Sequence, residues 1–279
     1  MAKDKIAFLG GGVMAEAMIR AVLDKRLVPP SRVSVTGPRR ERRAELTKQF
    51  GIAALASNVD AAKPADVVVL SVKPQVLPTV MKELRGKLRP DQLVISIVAG
   101  ANMRVLETGL AHPTIVRAMP NTPAQVGMGV TAWYPSHAVT AAQREHTKRI
   151  VASLGEELMV EDESYIDMAT ALSATGPTYV FLLMEALVDA GVHLGFSRRV
   201  AEELVLRTVE GSALFARKSG RHLAELRNMV TSPGGTSAAA IYQLEKGSLR
   251  TVLSKAVYAA YLRATELGAA AERKVTQDE

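Results

Sequence analysis

The sequence predicts an α/β domain over residues 1–163 and an all-α domain over residues 164–279. Two observations predict this division. In the first part, apolar runs rich in valine and isoleucine alternate with helix-like segments, as in an open sheet whose strands are buried on both faces. After about residue 163, long segments rich in alanine and leucine follow one another, separated by glycine and proline, and no convincing strand remains.

Short apolar runs define the strands of the first domain, and a helix-like pattern follows most of them. We expect strands at 6–9, 33–36, 67–72, 93–98 and 114–119, with further strands at 129–134 and near 156–160. We expect helices between them at 13–25, 39–49, 75–85 and 102–109. The helices expected in the second domain are 165–173, 178–195, 198–218, 221–230, 236–246 and 248–268, before a frayed tail.

The composition is that of a globular protein of 279 residues, 48% hydrophobic and only 4% aromatic. The absence of cysteine excludes disulfides and thiolate chemistry, and it fits a cytoplasmic protein. The net charge of +7 suits anionic small molecules, because the basic residues are dispersed apart from residues 39–43. No aromatic residues alternate with them, so we expect no nucleic-acid partner. The five histidines lack metal-ligand spacing, so we also expect no metal.

One apolar helix-like stretch, PTYVFLLMEALVDAGVHLGF, is long enough to raise the question of a membrane span. Glu185, Asp189 and His193 recur within it at four-residue spacing. Residues at this spacing share one helix face. The pattern therefore predicts an amphipathic helix of a soluble protein and no membrane partner.

The stretch IAFLGGGVMAEAMI joins the first predicted strand to the first predicted helix. Gly10, Gly12 and Ala15 fit the pattern G-x-G-x-x-G/A in this context, and Val13 and Met14 lie between them. The first glycine permits a tight turn, the second lets a pyrophosphate approach the backbone, and the alanine lets helix and strand pack closely. The helix N-terminus adds free N–H groups and a positive dipole end. We therefore predict a Rossmann-type dinucleotide-binding domain.

The second predicted strand, VSVT, indicates which dinucleotide is preferred. NAD-preferring sites usually carry an acidic residue at the end of this strand, which holds the ribose 2′-hydroxyl. Thr36 stands there instead, and Arg39 and Arg40 follow. Guanidinium groups would hold a 2′-phosphate that a carboxylate would repel. We therefore predict NADPH as the preferred cofactor, with NADH as a weaker alternative.

Several further stretches occur in a specific order: SVKP (71–74), RAMPNTP (117–123), LSATGPTYVFLLMEALVDAGV (172–192) and VTSPGGTSAAAI (230–241). Together with the glycine loop, they resemble the Δ1-pyrroline-5-carboxylate reductases, which catalyse the last step of proline synthesis. The likeness extends over nearly the whole chain. It implies NAD(P)H-dependent reduction of 1-pyrroline-5-carboxylate to L-proline.

The resemblance implies cofactor contacts beyond the glycine loop. The residues that match family positions are Asn58, Val72, Lys73, Pro74, Ala99, Gly100, Met119, Pro120 and Asn121. Asn58 matches an asparagine near the adenosine end, residues 72–74 with 99–100 match the nicotinamide ribose region, and residues 119–121 match the border of the nicotinamide. The resemblance also implies a homo-oligomer, a dimer or a multiple of dimers. Its helical domains interlock, so that a neighbouring chain completes each active site.

The loop TSPGGTS precedes a predicted helix, so its N–H groups can form a nest for a carboxylate. Adjacent glycines flanked by hydroxyls exceed what a turn requires. The resemblance assigns the substrate carboxylate to this loop of the second domain. The residues expected to bind it are Ser232, Gly234, Gly235, Thr236 and Ser237.

The chemistry places few demands on acid catalysis. Reduction of a C=N bond needs a hydride on carbon and a proton on nitrogen, and the cofactor carries the hydride. A cyclic imine arrives partly protonated near neutral pH, so a strong general acid is not compulsory. Ser237 or Thr175 could hydrogen-bond the imine nitrogen, and we expect these two as catalytic residues. Lys73 remains an alternative as a general acid.

Two departures from the family pattern bear on the substrate. The usual SGSGPAY reads SATGPTY, so Ala174, Thr175 and Thr178 are bulkier than the residues expected. The usual GGTT reads GGTS, so Ser237 keeps the hydroxyl without the methyl that restrains it. A related cyclic imine therefore remains an alternative substrate.

Two other classes of protein remain as alternatives. The β-hydroxyacid dehydrogenases share a glycine loop and a helical second domain, but they place a catalytic lysine four residues after a glycine. Val180 occupies that position after Gly176, and its side chain cannot transfer a proton. A non-catalytic NADPH sensor would need no carboxylate nest, so the intact loop at 231–237 favours an enzyme.

Overall fold

The computed structural model describes residues 4–277, and side chains as far as residue 270. The chain divides into two compact units. The first, which we call the sheet unit, extends to Thr175 and also contains the chain from Ala259 onward. The second, which we call the helical unit, is Gly176–Tyr258. In sequence, the helical unit is therefore inserted between two parts of the sheet unit.

The sheet unit is built on eight strands. They are β1 (Ile6–Leu9), β2 (Val33–Thr36), β3 (Ala53–Leu55), β4 (Val67–Leu70), β5 (Leu93–Ser96), β6 (Ile115–Met119), β7 (Gly129–Pro135) and β8 (Gly155–Met159). Their order is β3-β2-β1-β4-β5-β6-β7-β8, and every neighbouring pair is parallel except β6 with β7. The order 3-2-1-4-5-6 is that of dinucleotide-binding sheets. This part of the fold prediction is therefore confirmed.

Helices of the sheet unit cover this sheet. They are α1 (Val13–Asp24), α2 (Arg40–Phe50), α3 (Asn58–Ala62), α4 (Leu77–Leu84), α5 (Met103–Leu110), α6 (Ala141–Ala152) and α7 (Ser164–Ala169). A π-helical turn, Thr170–Ala174, continues α7, and 3₁₀ turns lie at Pro30–Arg32 and Thr122–Val126. Side chains fix some helix starts, since Asn102 Oδ1 accepts a hydrogen bond from the N–H of Val105 at 2.8 Å and so caps α5.

The core of the sheet unit has two layers because successive residues of a strand face opposite sides. Ile6 and Phe8 belong to the layer that contains Met18 and Ile19 of α1. Ala7 and Leu9 belong to the other layer, whose members include Val80, Leu84 and Leu106. All the residues of β1 are buried, as the apolar run predicts. Burial of a side chain such as that of Phe8 contributes about 1.5 to 3 kcal/mol.

Some elements were not predicted. The strand β3 has only three residues, AAL, with no β-branched side chain to signal it. Helix α6 reads AAQREHTKRIVA, and its buried residues are limited to Thr147, Ile150 and Val151. The short helix α3 was also missed. The predicted frayed tail is helical as far as Gln277, where the described residues end.

The helical unit contains α8 (Gly176–His193), α9 (Arg198–Ser219), α10 (Leu223–Met229), α11 (Thr236–Lys246) and the start of α12 (Leu249–Gln277). Helices α8 and α9 pack against each other. Among the described side chains of this unit, the buried apolar ones are Val188, Ala201 and Leu226. Large apolar side chains remain exposed on α8 and α9 in the single chain, among them Phe181, Leu182, Leu204 and Phe215.

The compact units divide the chain after Thr175, whereas the sequence predicts a boundary after residue 163. An ion-pair cluster around a buried arginine contributes to this difference. The guanidinium of Arg117 on β6 contacts Glu163 Oε1 at 2.5 Å and Asp167 Oδ1 at 3.0 Å. These contacts hold α7 to the sheet. The assignment of separate functions to 1–163 and 164–279 stays a prediction.

Candidate functional site

The carboxyl ends of β1, β2 and β4 lie side by side, because Leu9 pairs with Thr36 on one side and with Leu70 on the other. The chain turns directly after β1, where Gly10 has φ +111. A Cβ atom built on Gly10 would lie 2.7 Å from the carbonyl oxygen of Ser71. Any other residue would therefore be strained and would collide with backbone. The Ser71 hydroxyl donates to the Gly10 carbonyl oxygen at 2.8 Å and holds the turn.

The second glycine of the motif faces open space. A Cβ atom built on Gly12 would meet no atom within 4 Å. Gly12 is the N-cap residue of α1 and makes no side-chain cap, while Ala15 is buried beneath. No side chain therefore caps the first N–H groups of α1. Open space before an uncapped helix N-terminus is the environment that a pyrophosphate requires, so these residues fit a dinucleotide. Val13 is exposed and Met14 is half-buried in this loop.

A directed chain of hydrogen bonds supports the glycine turn. The N–H of Gly10 donates to Thr36 Oγ1 at 3.2 Å, and the Thr36 hydroxyl donates to Asn58 Oδ1 at 2.6 Å. Asn58 Nδ2 donates to Glu83 Oε2 at 2.8 Å. An ionised carboxylate only accepts hydrogen bonds, so Glu83 fixes the direction of every bond in the chain. Thr36 is only 2% exposed, so what the structure shows for it is a positioning role towards Gly10.

The arginine cluster at 39–43 divides into two pairs. Arg39 and Arg40 are exposed, and no ion pair or hydrogen bond to another described residue is found for their side chains. Arg43 donates to the carbonyl oxygen of Gly37 at 2.6 Å. Its neighbour Arg42 packs on the glycine loop. The first pair is therefore available to a ligand, while the second pair stabilises the loops.

Sequence reasoning missed the role of Arg42. Its Nε donates to the carbonyl oxygen of Gly11 at 3.1 Å, and its guanidinium forms an ion pair with Glu16 in the first turn of α1. The hydrogen bond from Arg42 holds the pKa of Glu16 below its usual value, although partial burial opposes the shift. Gln49 also donates to Glu16, at 3.1 Å. The cluster was visible in the sequence, but the pairing between α2 and α1 was not.

The next two segments predicted to contact the cofactor follow β4 and β5. Val72 lies against the glycine turn, since its Cγ1 would be 3.0 Å from a Cβ atom on Gly10. Lys73 is exposed, and Pro74 is half-buried beside it. After β5, Ala99 is half-buried and Gly100 is buried with φ +74. The structure therefore brings both segments to the sheet edge that carries the glycine turn.

Met119, Pro120 and Asn121 form the end of β6 and the turn after it, and all three are buried. Asn121 Oδ1 accepts from the N–H of Val130 at 3.0 Å. Asn121 Nδ2 donates to Ser173 Oγ at 3.3 Å. The strand end is therefore tied to the π-helical turn that follows α7.

Thr175 closes that π-helical turn. Its N–H and its hydroxyl both donate to the carbonyl oxygen of Thr170, each at 2.9 Å. The hydroxyl proton is thus already engaged, so the oxygen can only accept from a ligand. The sequence predicts a regular helix over 165–173, and no residue pattern indicates the π turn. Such turns occur frequently at functional sites.

In the helical unit, the loop 231–237 forms a compact turn before α11. The N–H of Gly235 donates to the carbonyl oxygen of Ser232 at 3.1 Å, and Gly234 has φ +69. A Cβ atom on Gly235 would collide with the Ser232 hydroxyl. Helix α11 begins at Thr236 with no side-chain cap, so its first N–H groups are available to an anion. Ser237 is half-buried in the first turn.

The sheet order and the glycine turn define a dinucleotide-binding protein with a helical second region. A family model described as Pyrroline-5-carboxylate reductase dimerisation matches residues 163–267, and one described as NADP oxidoreductase coenzyme F420-dependent matches residues 5–100. The chain is 42% identical to a pyrroline-5-carboxylate reductase of Pseudomonas aeruginosa over 96% of this chain and 98% of that protein. It therefore belongs to the pyrroline-5-carboxylate reductase family, as its motifs predict.

Two further comparisons agree with this assignment. A pyrroline-5-carboxylate reductase of Arabidopsis thaliana is 36% identical over 94% of this chain and 95% of that protein. The crystal structure of a Plasmodium falciparum pyrroline carboxylate reductase with NADP bound superposes with a TM-score of 0.89 at 32% identity. It covers 96% of this chain and 99% of the other. The predicted fold class is therefore confirmed for both regions.

Proposed function

We propose that this protein catalyses the NAD(P)H-dependent reduction of 1-pyrroline-5-carboxylate to L-proline, the last step of proline biosynthesis. The observation that carries the proposal is the open space before the uncapped N-terminus of α1 at Gly12, in a chain that matches such reductases along almost its full length. The reduced nicotinamide would supply the hydride to the imine carbon. The remaining tasks fall to the residues of this chain.

The cofactor contacts follow the edge of the sheet. Gly10, Gly12 and the residues 13–15 would hold the pyrophosphate. Arg39 and Arg40 would hold a 2′-phosphate, because both are exposed and make no contact that competes for their guanidinium groups among the described residues. This arrangement supports a preference for NADPH over NADH. The segments 72–74, 99–100 and 119–121 would border the nicotinamide and its ribose, with Thr36 and Asn58 supporting the adenosine end.

The substrate carboxylate would bind at the loop 231–237. The uncapped N–H groups at the start of α11 supply donors, and the helix dipole favours negative charge there. Ser232, Gly234 and Gly235 would shape the nest, while Thr236 and Ser237 would add hydroxyl donors.

The nitrogen of the substrate would bind in its protonated form. The Thr175 hydroxyl already donates to Thr170, so its oxygen can accept the N–H of a cyclic iminium ion. A hydride added to the carbon of that ion gives the neutral secondary amine without a further proton at the reacting centre. Thr175 would therefore bind the ring nitrogen, Ser237 is the alternative for this role, and Lys73 is not required as an acid.

The helical unit would form the contact between copies of this chain. By length and composition, the helix spanning 164–193 could cross a membrane, and only 11% of its apolar window is buried in the single chain. The match of residues 163–267 to a dimerisation family supports protein, rather than lipid, as its cover. We therefore propose a cytoplasmic homo-oligomer, a dimer or a multiple of dimers with interlocked helical regions, that binds neither nucleic acid nor membrane.

A spectrophotometric panel tests the function. NADPH oxidation is followed with five-membered and six-membered cyclic imino acids and with thiazoline analogues. We expect the highest kcat/KM with pyrroline-5-carboxylate, and a lower kcat/KM with NADH than with NADPH. A higher kcat/KM for a six-membered ring than for pyrroline-5-carboxylate would assign a related imine as the substrate instead. NADPH binding without turnover of any imine would contradict the proposal.

A further inference from the structure

The turn after β5 is in direct backbone contact with α12 at Leu267 and Gly268. We call the part of the helix from Leu267 to Ala270 the end of α12. A Cβ atom built on Gly100 would lie 2.8 Å from Leu267 Cβ and 2.9 Å from the backbone nitrogen of Gly268. A Cβ atom built on Gly268 would lie 2.8 Å from the carbonyl oxygen of Gly100. All three distances are shorter than real side chains tolerate. The two backbones can therefore touch only because glycine stands on each side.

The glycine in α12 is not explained by the helix itself. Gly268 lies inside the helix and is followed by three alanines, the residue with the highest helix propensity. Gly100, by contrast, has φ +74 and needs glycine for its own conformation. The requirement for Gly268 therefore comes from the contact with the turn.

A small cavity adjoins the contact. Its volume is about 80 Å³, and the residues that line it include Pro74, Leu77, Ala99, Ala101, Leu267 and Ala270. The end of α12 thus backs the segment after β4 as well as the turn after β5. The turn has little support of its own, since the N–H of Ala101 reaches the carbonyl oxygen of Val98 only at 3.4 Å. The contact with Leu267 and Gly268 adds support to the turn.

We propose that Gly268 is a positioning residue, which sets the place of the Ala99–Gly100 turn and through it the affinity for the nicotinamide cofactor. This inference rests on the proposed function, because it takes this turn as part of the cofactor site. The helix α12 begins in the helical unit, and Leu267 and Gly268 belong to the sheet unit.

The test uses the full-length protein with Gly268→Ala and, as a matched control, Glu266→Ala. Glu266 lies on the same turn of the helix with an exposed side chain paired to Arg263. An alanine at 268 must displace the Gly100 carbonyl by about 0.6 Å, the difference between 2.8 Å and the 3.4 Å of ordinary contact. Because the displaced turn would no longer fit the cofactor, we expect the Kd for NADPH to rise about tenfold, which corresponds to about 1.4 kcal/mol of binding free energy. The ratio of the Kd values for NADH and NADPH should not change.

A second measurement is made on the free protein. Hydrogen exchange of the peptide that spans residues 97–102 should be faster in Gly268→Ala and unchanged in Glu266→Ala. An unchanged Kd and unchanged exchange in a folded Gly268→Ala variant would overturn the inference. If the wild-type protein does not bind NADPH, the proposed function fails, whereas the exchange result still tests the contact.

If Gly268→Ala does not fold, Leu267→Ala tests the same contact, because it removes side-chain atoms instead of adding one. Leu267→Ala adds no collision but takes away side-chain contact beside Gly100. We expect a smaller rise in the Kd for NADPH, about threefold, and faster exchange over residues 97–102. If Leu267→Ala leaves both unchanged, the end of α12 does not position the turn.

Discussion

In the sheet unit, every residue of β1, β4 and β5 is buried, whereas in the helical unit Phe181, Leu182 and Leu204 remain exposed in the single chain. The sheet is covered on both faces by helices from its own unit, and its apolar runs are satisfied within one copy. The helices α8 and α9 bury little by themselves. The difference teaches that the first region can be understood from one chain, while the second requires the partner that its family match describes.

The largest effect on stability is expected inside the sheet unit, at the ion pairs between β6 and α7. Arg117 is only 3% exposed and holds Glu163 and Asp167. Its replacement by methionine would leave two carboxylates without their cation, so we expect a loss of about 3 kcal/mol in the free energy of unfolding. Chemical denaturation measures it. The triple variant that also carries Glu163→Gln and Asp167→Asn should recover most of the loss, and equal stability of wild type and Arg117→Met would refute the role of the cluster.

The next effect separates binding from folding in the sheet unit. A valine at position 12 has free space in the protein itself, so Gly12→Val should fold normally. Its side chain would occupy the space proposed for the pyrophosphate, so we expect the Kd for NADPH to rise at least about 100-fold, or about 2.8 kcal/mol. Fluorescence titration and thermal denaturation together test this. Normal NADPH binding by Gly12→Val would show that the pyrophosphate does not bind at Gly12.

The corresponding change in the helical unit should affect the substrate and not the cofactor. Ser237→Ala removes one donor to a charged ligand, so we expect kcat/KM for the imine to fall by about tenfold to 100-fold. The Kd for NADPH should stay the same. If Ser237→Ala lowers only the affinity for NADPH, Ser237 contacts the cofactor and its assignment to the substrate is wrong.

Two exposed leucines test whether a second copy covers the helical unit or the sheet unit. Leu182 on α8 is 65% exposed in the single chain, and Leu158 on β8 is 58% exposed. If a second copy covers α8, Leu182→Asp should weaken association by about 2 kcal/mol per subunit, the value of burying a leucine. Leu158→Asp serves as the matched control and should leave the oligomer intact. Light scattering over a range of protein concentrations measures the association. If Leu182→Asp leaves the oligomer intact, or if only Leu158→Asp weakens it, the helical unit does not mediate assembly.

The smallest effect concerns Glu16, whose side chain is 24% exposed in its pair with Arg42. Because Arg42 lowers the folded-state pKa of Glu16, the pair stabilises the protein above the unfolded pKa, near 4.5, and this contribution is lost as the pH falls through the folded-state value. Glu16→Gln should therefore cost less than about 1 kcal/mol at pH 7 and still less in acid. Glu145→Gln, which breaks a more exposed pair with Arg149, is the control. A loss that grows towards low pH would contradict the assignment.

Much of the sheet unit could be predicted from sequence because its signals are local. The runs at β1 and β2 end at the predicted residues, and the glycine spacing places the turn. The strand β3 was not predicted because its three residues, which are small or partly exposed, show no alternation of apolar and polar side chains. Contacts such as Arg42 with Glu16 depend on how α2 packs on α1, which no local pattern encodes. The π turn at Thr170–Ala174 adds a single residue to a helical pattern, and helix propensity does not distinguish it.

The central claim is that a hydride passes from the cofactor to a cyclic iminium ion held by this chain. NADPH that carries deuterium at the transferable position, supplied with pyrroline-5-carboxylate, tests it most directly by mass spectrometry of the product. The account predicts L-proline that is one deuterium heavier, with the label on the carbon of the former C=N bond. Unlabelled proline, or no proline while NADPH binds, would contradict it.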